Sequence, residues 1–359
     1  MPSQPDAPEL LRRLCEAHGI SGREEAVRAI LLEAIRDRVD ACRIDSMGNL
    51  IAFKKGTGAS RLRVLAAAHM DEVGLVITGA EDSGTLRFAK VGGIDDRVLP
   101  ARMVLIGARR VPGVIGIKPV HLLERGERDR VPEARQLSID VGASSRAEAE
   151  RLAPRGETAM FASEFLTSAG GTAGTGVVQA KALDDRVGCA ILVGLLAERF
   201  EFDFVAAFTV QEEVGLRGAR VAAWAEKPDA ALVLECTGAN EVPSKRDVSP
   251  STRLGHGPAL TVRDPSFVAD PRLVEAFSRA GSESGIPYQV KQPTIGGTDA
   301  GSIHRVREGV PSLTIAVPAR YIHSPVSMMD LSDFHHTAAL AREGLTRLPG
   351  ALGERGAGT

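Results

Sequence analysis

Residues 204–218 read FVAAFTVQEEVGLRG, and the reading of this stretch decides how the rest of the chain is folded. Phe204 to Val210 carry no charge, and a short apolar run of this kind, bounded by turn signals, is the pattern of a strand buried on both faces. Glu212 and Glu213 follow at once, Gly215 breaks the run, and a helical stretch begins near Arg217 and ends near Glu226. The alternation continues on either side, with a helix expected over 184–199, a strand over 202–210 and a strand over 230–235. Strands alternating with helices predict an α/β sheet covered by helices on both faces. In such sheets ligands bind beyond the carboxyl ends of the strands, so polar residues directly after apolar runs are the candidates for chemistry.

Further downstream, a helix near 271–283, a strand in VPSLTIAV and a closing helix over 331–348 extend the pattern. Upstream, Ser21 and Glu24 form a capping-box signature ahead of Val27, Ile30, Leu31 and Ile35, which recur at helical spacing. ACRIDSMGNLIAF reads as a hairpin with Gly48 and Asn49 at its turn, and LRVLAAAHMD as a strand ending in His69 and Asp71. From about Glu72 to Glu164 the texture changes to short β-like runs punctuated by glycine, which predicts a compact β module. Its charged segment LLERGERDRVPEARQ reads as a solvated loop. The expected organisation is a discontinuous catalytic domain over 1–70 and 166–348, an inserted small β-barrel-like domain over 71–165, and a flexible tail over 349–359 that takes in the glycine-rich LGERGAGT.

Composition bounds the function. With 359 residues, 43% hydrophobic and 25% charged, the chain is long enough for roughly two domains and a sizeable core. Lys and Arg total 44 against 46 Asp and Glu, so there is no basic field for nucleic acid and no polybasic membrane patch. The N-terminus is charged, and no apolar run approaches the ~20 residues needed to span a bilayer. The four cysteines are scattered, with no CxxC, and read as reduced and structural. A cytoplasmic protein is expected.

The strand-end candidates form a set. His69 and Asp71 end one strand, Glu212 and Glu213 another, and Glu235 a third. His323 follows LTIAVPARY, and Asp184 with Asp185 opens the helix after GVVQAKAL. Asp184 or Asp185 alone would read as an N-cap, and a lone histidine as a hydrogen-bonded structural residue. Together, two histidines and at least four carboxylates at one sheet edge would repel unless cations neutralised them. Nitrogen and carboxylate donors suit zinc or a similar first-row ion, cobalt and manganese among them. Five ligands exceed what one catalytic zinc takes, so two metals sharing Asp184, about 3.5–4 Å apart, fit the count. Glu212 is then left free as a general base.

The blocks AAHMDEVG, KALDDRVG, QEEVGLRGA, GGTDAGSIH and RYIHSP, in this order over nearly the whole chain, resemble the dinuclear-metal aminopeptidases of the glutamyl and tetrahedral (TET) aminopeptidase family. VGGIDDRVL and GVIGIKPVHLL are similar to that family's inserted β domain. The resemblance implies a mixed-sheet zinc-aminopeptidase-like fold with two divalent ions held by His69, Asp184, Glu213, Glu235 and His323, Asp184 bridging. It implies peptide hydrolysis by a metal-activated water with Glu212 as general base, and gives Asp71 the task of orienting His69. It also implies a homo-oligomer, with dimers assembling into a dodecamer through the inserted domain. Glu235 stands where the family usually has aspartate. Asp185, His121, His304, His335 and His336 are read as structural; Thr298 and Asp299 lie near the expected mouth, and Arg320 either recognises an acidic group or braces its loop.

Two other readings compete. A glycosidase needs carboxylates ~5–9.5 Å apart across a sugar, which adjacent glutamates do not provide, and one Trp leaves little for sugar stacking. An inactive homologue acting as an assembly or metal-binding protein would keep the fold and lose turnover. No GxSxG elbow supports a serine hydrolase, and no Walker-type loop a nucleotide site.

Overall fold

In the computed structural model, which describes residues 7–58, 60–239, 241, 252–292 and 296–353, the uncharged run becomes the strand Asp203–Thr209. It lies inside an eight-stranded sheet among the described residues, in the order Ala41–Ile44, Leu50–Lys54, Asp203–Thr209, Arg63–His69, Ala230–Gly238, Ser312–Ala319, Ala259–Thr261, Gln289–Val290. The four central strands run parallel, and antiparallel pairs flank them, so the sheet is mixed. Val64–Ala68, Val205–Phe208 and Ala230–Leu234 are buried throughout, which requires cover on both faces and explains why these strands do not alternate with polar residues. The helices Leu183–Leu195, Pro271–Ser284 and Leu331–Thr346 form one layer, and Arg217–Glu226 packs with Ala300–Ile303 apart from them.

Six strands within 74–161 close into a barrel, ordered Gly74–Ala80, Leu86–Val91, Ser138–Asp140, Val111–Gly116, Met103–Ile106 and Thr158–Phe161. The barrel has its own core, including Leu75, Ile77, Val104, Ile115, Ile139 and Phe161. Closure leaves no sheet edge open. Residues 122–136 run over the surface with two short turns, Val120–Leu122 and Ala134–Gln136, at its ends. A three-stranded sheet of Leu166–Ser168, Val177–Ala180 and Ser327–Asp330 then returns the chain to the main domain.

Two local expectations change. The helix after Ser21 begins at Glu25, and Ser21 does not cap it: its hydroxyl donates to buried Asp71 at 2.6 Å, while Glu24 accepts from the Gly22 N–H. A buried carboxylate outcompetes a helix end for that hydroxyl because its own desolvation is costlier to leave unpaired. Second, the strand from Ala230 continues to Gly238, so Glu235 lies within it rather than at its end. Leu348–Leu352 form a short helix, and residues 354–359 of the expected tail lie outside the described residues. No helix among the described residues is long and apolar enough to cross a membrane, and all four cysteines are unpaired.

Candidate metal centre

Sheet register brings the candidates together. Thr209 pairs with His69, so the chain beyond each strand end travels alongside the other, and Met70 N–H donates to the Thr209 carbonyl at 2.7 Å. Ala230–Val233 pair in parallel with Val64–Ala67, and two residues further on Glu235 comes abreast of His69, with its Oε2 3.8 Å from His69 Nε2. Asp184 arrives from the turn that opens the Leu183–Leu195 helix; it and Asp185 have non-helical backbone angles, and the peptide between them is cis. The loop after Ser312–Ala319 supplies His323, whose φ of +57° turns its ring back toward the sheet.

Asp184 stands between the two histidines. Its Oδ1 is 3.2 Å from His69 Nε2 and its Oδ2 is 3.3 Å from His323 Nε2, which is also 3.3 Å from Glu213 Oε2. Glu212 Oε2 lies 3.9 Å from His69 Nε2. The far ring nitrogens are held by backbone: His69 Nδ1 donates to the Asp71 carbonyl at 3.1 Å, and His323 Nδ1 to the Gly93 carbonyl at 3.0 Å. Gly93 follows a barrel strand, so the barrel reaches the site. The Asp71 carboxylate is 3.5 Å from His69 Nδ1, but its hydrogen bonds come from Glu212 N–H, Glu213 N–H and Ser21.

Buried carboxylates this close together resist ionising. Burial pushes Glu235 and Glu212 well above the usual carboxylate range, with His69 pulling the other way, and pushes Glu213 up to about 7. Burial also opposes charge on the histidines, yet Asp184 and its neighbours hold His69 well above its ordinary value and His323 at about 9. Asp184, despite burial, is pulled down by both histidines. Ionised together, Asp184, Glu212, Glu213 and Glu235 would carry more negative charge than His69 and His323 balance, which is the condition for a cation site.

The donor set fits divalent ions. Ligand atoms about 2.0–2.1 Å from a tetrahedral ion stand about 3.3 Å from each other, and the four separations among His69, Asp184, Glu213, His323 and Glu235 run from 3.2 to 3.8 Å. Glu213 Oε1 is buried with no hydrogen-bond partner among the described residues. Among the described residues two triads have ligand atoms within 4.8 Å of one another, His69 with Asp184 and Glu213, and His69 with Asp185 and Glu235. Asp185 is the weaker donor of these: its Oδ2 already accepts from His69 N–H and its Oδ1 from Gly188 N–H.

A cleft of about 480 Å³ opens over these residues, with Gly297, Thr298 and Lys291 on its wall. Sequence reading missed Lys291, which follows a two-residue strand and is placed by its N–H bond to the Leu260 carbonyl; no periodicity marks it. Arg320 pairs with Glu241 at 2.7 Å and so braces its loop. Asp299 is buried behind the site, accepting from Thr209 Oγ1 at 2.6 Å. His304 bonds the Ala300 carbonyl within its own turn.

The model of the M42 glutamyl aminopeptidase family matches residues 48–340. A putative aminopeptidase of Acetivibrio thermocellus is 37% identical over 341 residues, covering 94% of this chain and 98% of the relative. The lysyl aminopeptidase of Pyrococcus furiosus is 33% identical, covering 95% and 97%. Among solved structures, the Pyrococcus horikoshii TET1 peptidase, described as assembling into a tetrahedron or a large octahedral shell, superposes with a TM-score of 0.81 at 35% identity, covering 94% and 98%.

Proposed function

The chain belongs to the M42 glutamyl aminopeptidase family and is a peptidase, hence a hydrolase; from that premise we propose that it removes N-terminal residues from peptides using two divalent cations, zinc foremost and cobalt or manganese as alternatives. His69, Asp184, Glu213, Glu235 and His323 would hold the cations. The observation that carries this reading is Asp184, whose two oxygens each face a different histidine, as a carboxylate shared between two ions does.

When bound, such cations supply Lewis-acid polarisation of a carbonyl and acidify water. The chain's own groups do the rest. Glu212, with its backbone held by Asp71, presents its carboxylate beside His69, takes the proton of the attacking water and delivers it to the departing amine nitrogen. The backbone carbonyls of Asp71 and Gly93 hold the protons on the Nδ1 atoms of His69 and His323, leaving both Nε2 atoms directed at the carboxylates. The cleft wall of Gly297 and Thr298 orients the peptide.

We further assign residues 1–70 and 166–348 to catalysis and the 71–165 insert to assembly of copies. The exposed apolar side chains of Met103, Val114, Ile117, Val120 and Leu122 on the barrel suit such a contact, and the TET1 relative forms shells. Four unpaired cysteines fit a reducing compartment, the cytoplasm.

Metal analysis combined with a panel of aminoacyl-nitroanilides tests the function. A chelator should abolish turnover, and zinc, cobalt or manganese should restore it. Turnover that persists in full without metal, or silence with every metal, removes the proposal.

A further inference from the structure

We propose that the buried ion cluster of Glu72, Lys181 and Arg186 is a positioning device that sets the distance between the His69 loop and the Asp184 turn. This rests on the metal-centre reading above. The three residues touch no substrate and act through the ligands beside them.

Their places in the chain make the argument. Glu72 is three residues after His69, Lys181 three before Asp184, and Arg186 two after it. Lys181 Nζ donates to both Glu72 oxygens, at 2.7 and 2.9 Å, and Arg186 Nη2 reaches Glu72 Oε1 at 3.3 Å. One carboxylate on the His69 loop is thus gripped from both ends of the Asp184 turn. Other donors land on the N-terminal segment: Lys181 on the Ala17 carbonyl at 3.0 Å, Arg186 on the Leu14 carbonyl, while Glu72 N–H donates to the Gly19 carbonyl at 2.9 Å; Arg186 Nε is buried without a partner among the described residues. Gly19 lets the chain approach closely there: a Cβ would lie 2.5 Å from Arg186 Nη2 and 2.7 Å from Val27 Cγ2, so a larger residue would force the guanidinium or Val27 to shift.

Exposure of the three side chains is 3%, 2% and 0% for Glu72, Lys181 and Arg186. Burying three ions costs several kcal/mol each before pairing, and packed apolar residues of like volume are often as stable or more so. Stability alone therefore does not account for the cluster; fixed geometry does. Glu72 and Lys181 line a void of about 10 Å³ that Asp184, Glu213 and His323 also line, so the cluster adjoins the ligands. With two cations to one anion it also leaves a net positive charge facing the carboxylate-rich centre.

The test compares the full chain with the double variant Glu72→Gln, Lys181→Met and with Arg186→Lys. Zinc uptake by the chelator-stripped proteins is measured by calorimetry and elemental analysis, with unfolding of the metal-free forms and kcat and KM alongside. The double variant is expected to keep its metal-free unfolding midpoint within a few degrees, to bind zinc about 10–100-fold more weakly, and to lose kcat with KM little changed. Arg186→Lys keeps the charge but shortens the fork, so it should fold and bind zinc about ten-fold more weakly. Wild-type zinc affinity and kcat in a folded double variant overturn the proposal; where that variant does not fold, the same result in Arg186→Lys overturns it. A wild-type chain that takes up no zinc overturns the metal-centre reading and this inference with it, whereas full uptake by wild type and variants alike overturns this inference alone.

Discussion

The carboxylate of Asp71 accepts the backbone N–H of Glu212 at 2.9 Å. Its second oxygen accepts the N–H of Glu213 at 3.2 Å and the Ser21 hydroxyl at 2.6 Å. The two glutamates are thus pinned at their backbone by a residue that is itself fully buried, just beyond Gln211, whose φ is +58°. The pinned turn lets neighbouring side chains, which a continuing strand would send to opposite faces, serve one site. Glu212 faces His69 and Glu213 faces His323.

Glu212→Gln is expected to retain the wild-type metal content and lose turnover by about 10²–10⁴-fold, the range for removing a positioned general base. Elemental analysis and single-turnover kinetics on the same sample check this. A variant with a near-normal rate takes Glu212 out of the role.

Asp71→Asn keeps the shape but leaves one oxygen where two were used, so one of the two N–H groups faces an amide NH₂. Turnover should fall by at least about ten-fold, and metal-free stability by about 1–3 kcal/mol, the cost of an unsatisfied buried donor. Urea unfolding and a kcat measurement read the two effects separately. Unchanged values for both contradict the pinning role.

The Lys291 ammonium has no hydrogen-bond or ion-pair partner among the described residues, and it stands in a cleft whose acids are gathered around Asp184. A peptide whose first side chain carries a carboxylate would supply that partner. Lys291→Gln should raise KM for an N-terminal glutamyl or aspartyl substrate about ten-fold while leaving a leucyl one nearly unchanged. An equal change for all three would mean that the ammonium contacts some other part of the peptide.

Gly218 lies in the first turn of the Arg217–Glu226 helix, and a Cβ there would meet Asn49 Oδ1 at 2.3 Å and the Val210 carbonyl at 2.5 Å. Asn49 itself accepts from Val210 N–H and donates to the Gly218 carbonyl, tying the hairpin to the Glu212 turn. Gly218→Ala should cost about 1–3 kcal/mol through overpacking and lower kcat by displacing the turn. Thermal unfolding that matches wild type would show that the contact relaxes freely.

Local sequence decided much of this protein. The uncharged runs ending in His69 and in the Glu212–Glu213 pair are strands because only segments buried on both faces can dispense with polar residues, and that condition is visible without coordinates. The alternation with helices, the glycine-punctuated β run and the grouping of acids and imidazoles at strand ends were legible for the same reason. Tertiary structure decided what depends on register and on distant partners. That Glu235 sits inside its strand yet beside His69, that Ser21 serves Asp71 rather than a helix end, and that Lys291 borders the cleft all follow from parallel pairing between segments far apart in the chain. Periodicity reports which face of an element is buried; it carries no information about which other element's charge waits there, and the buried meeting of Glu72, Lys181 and Arg186 is of that second kind.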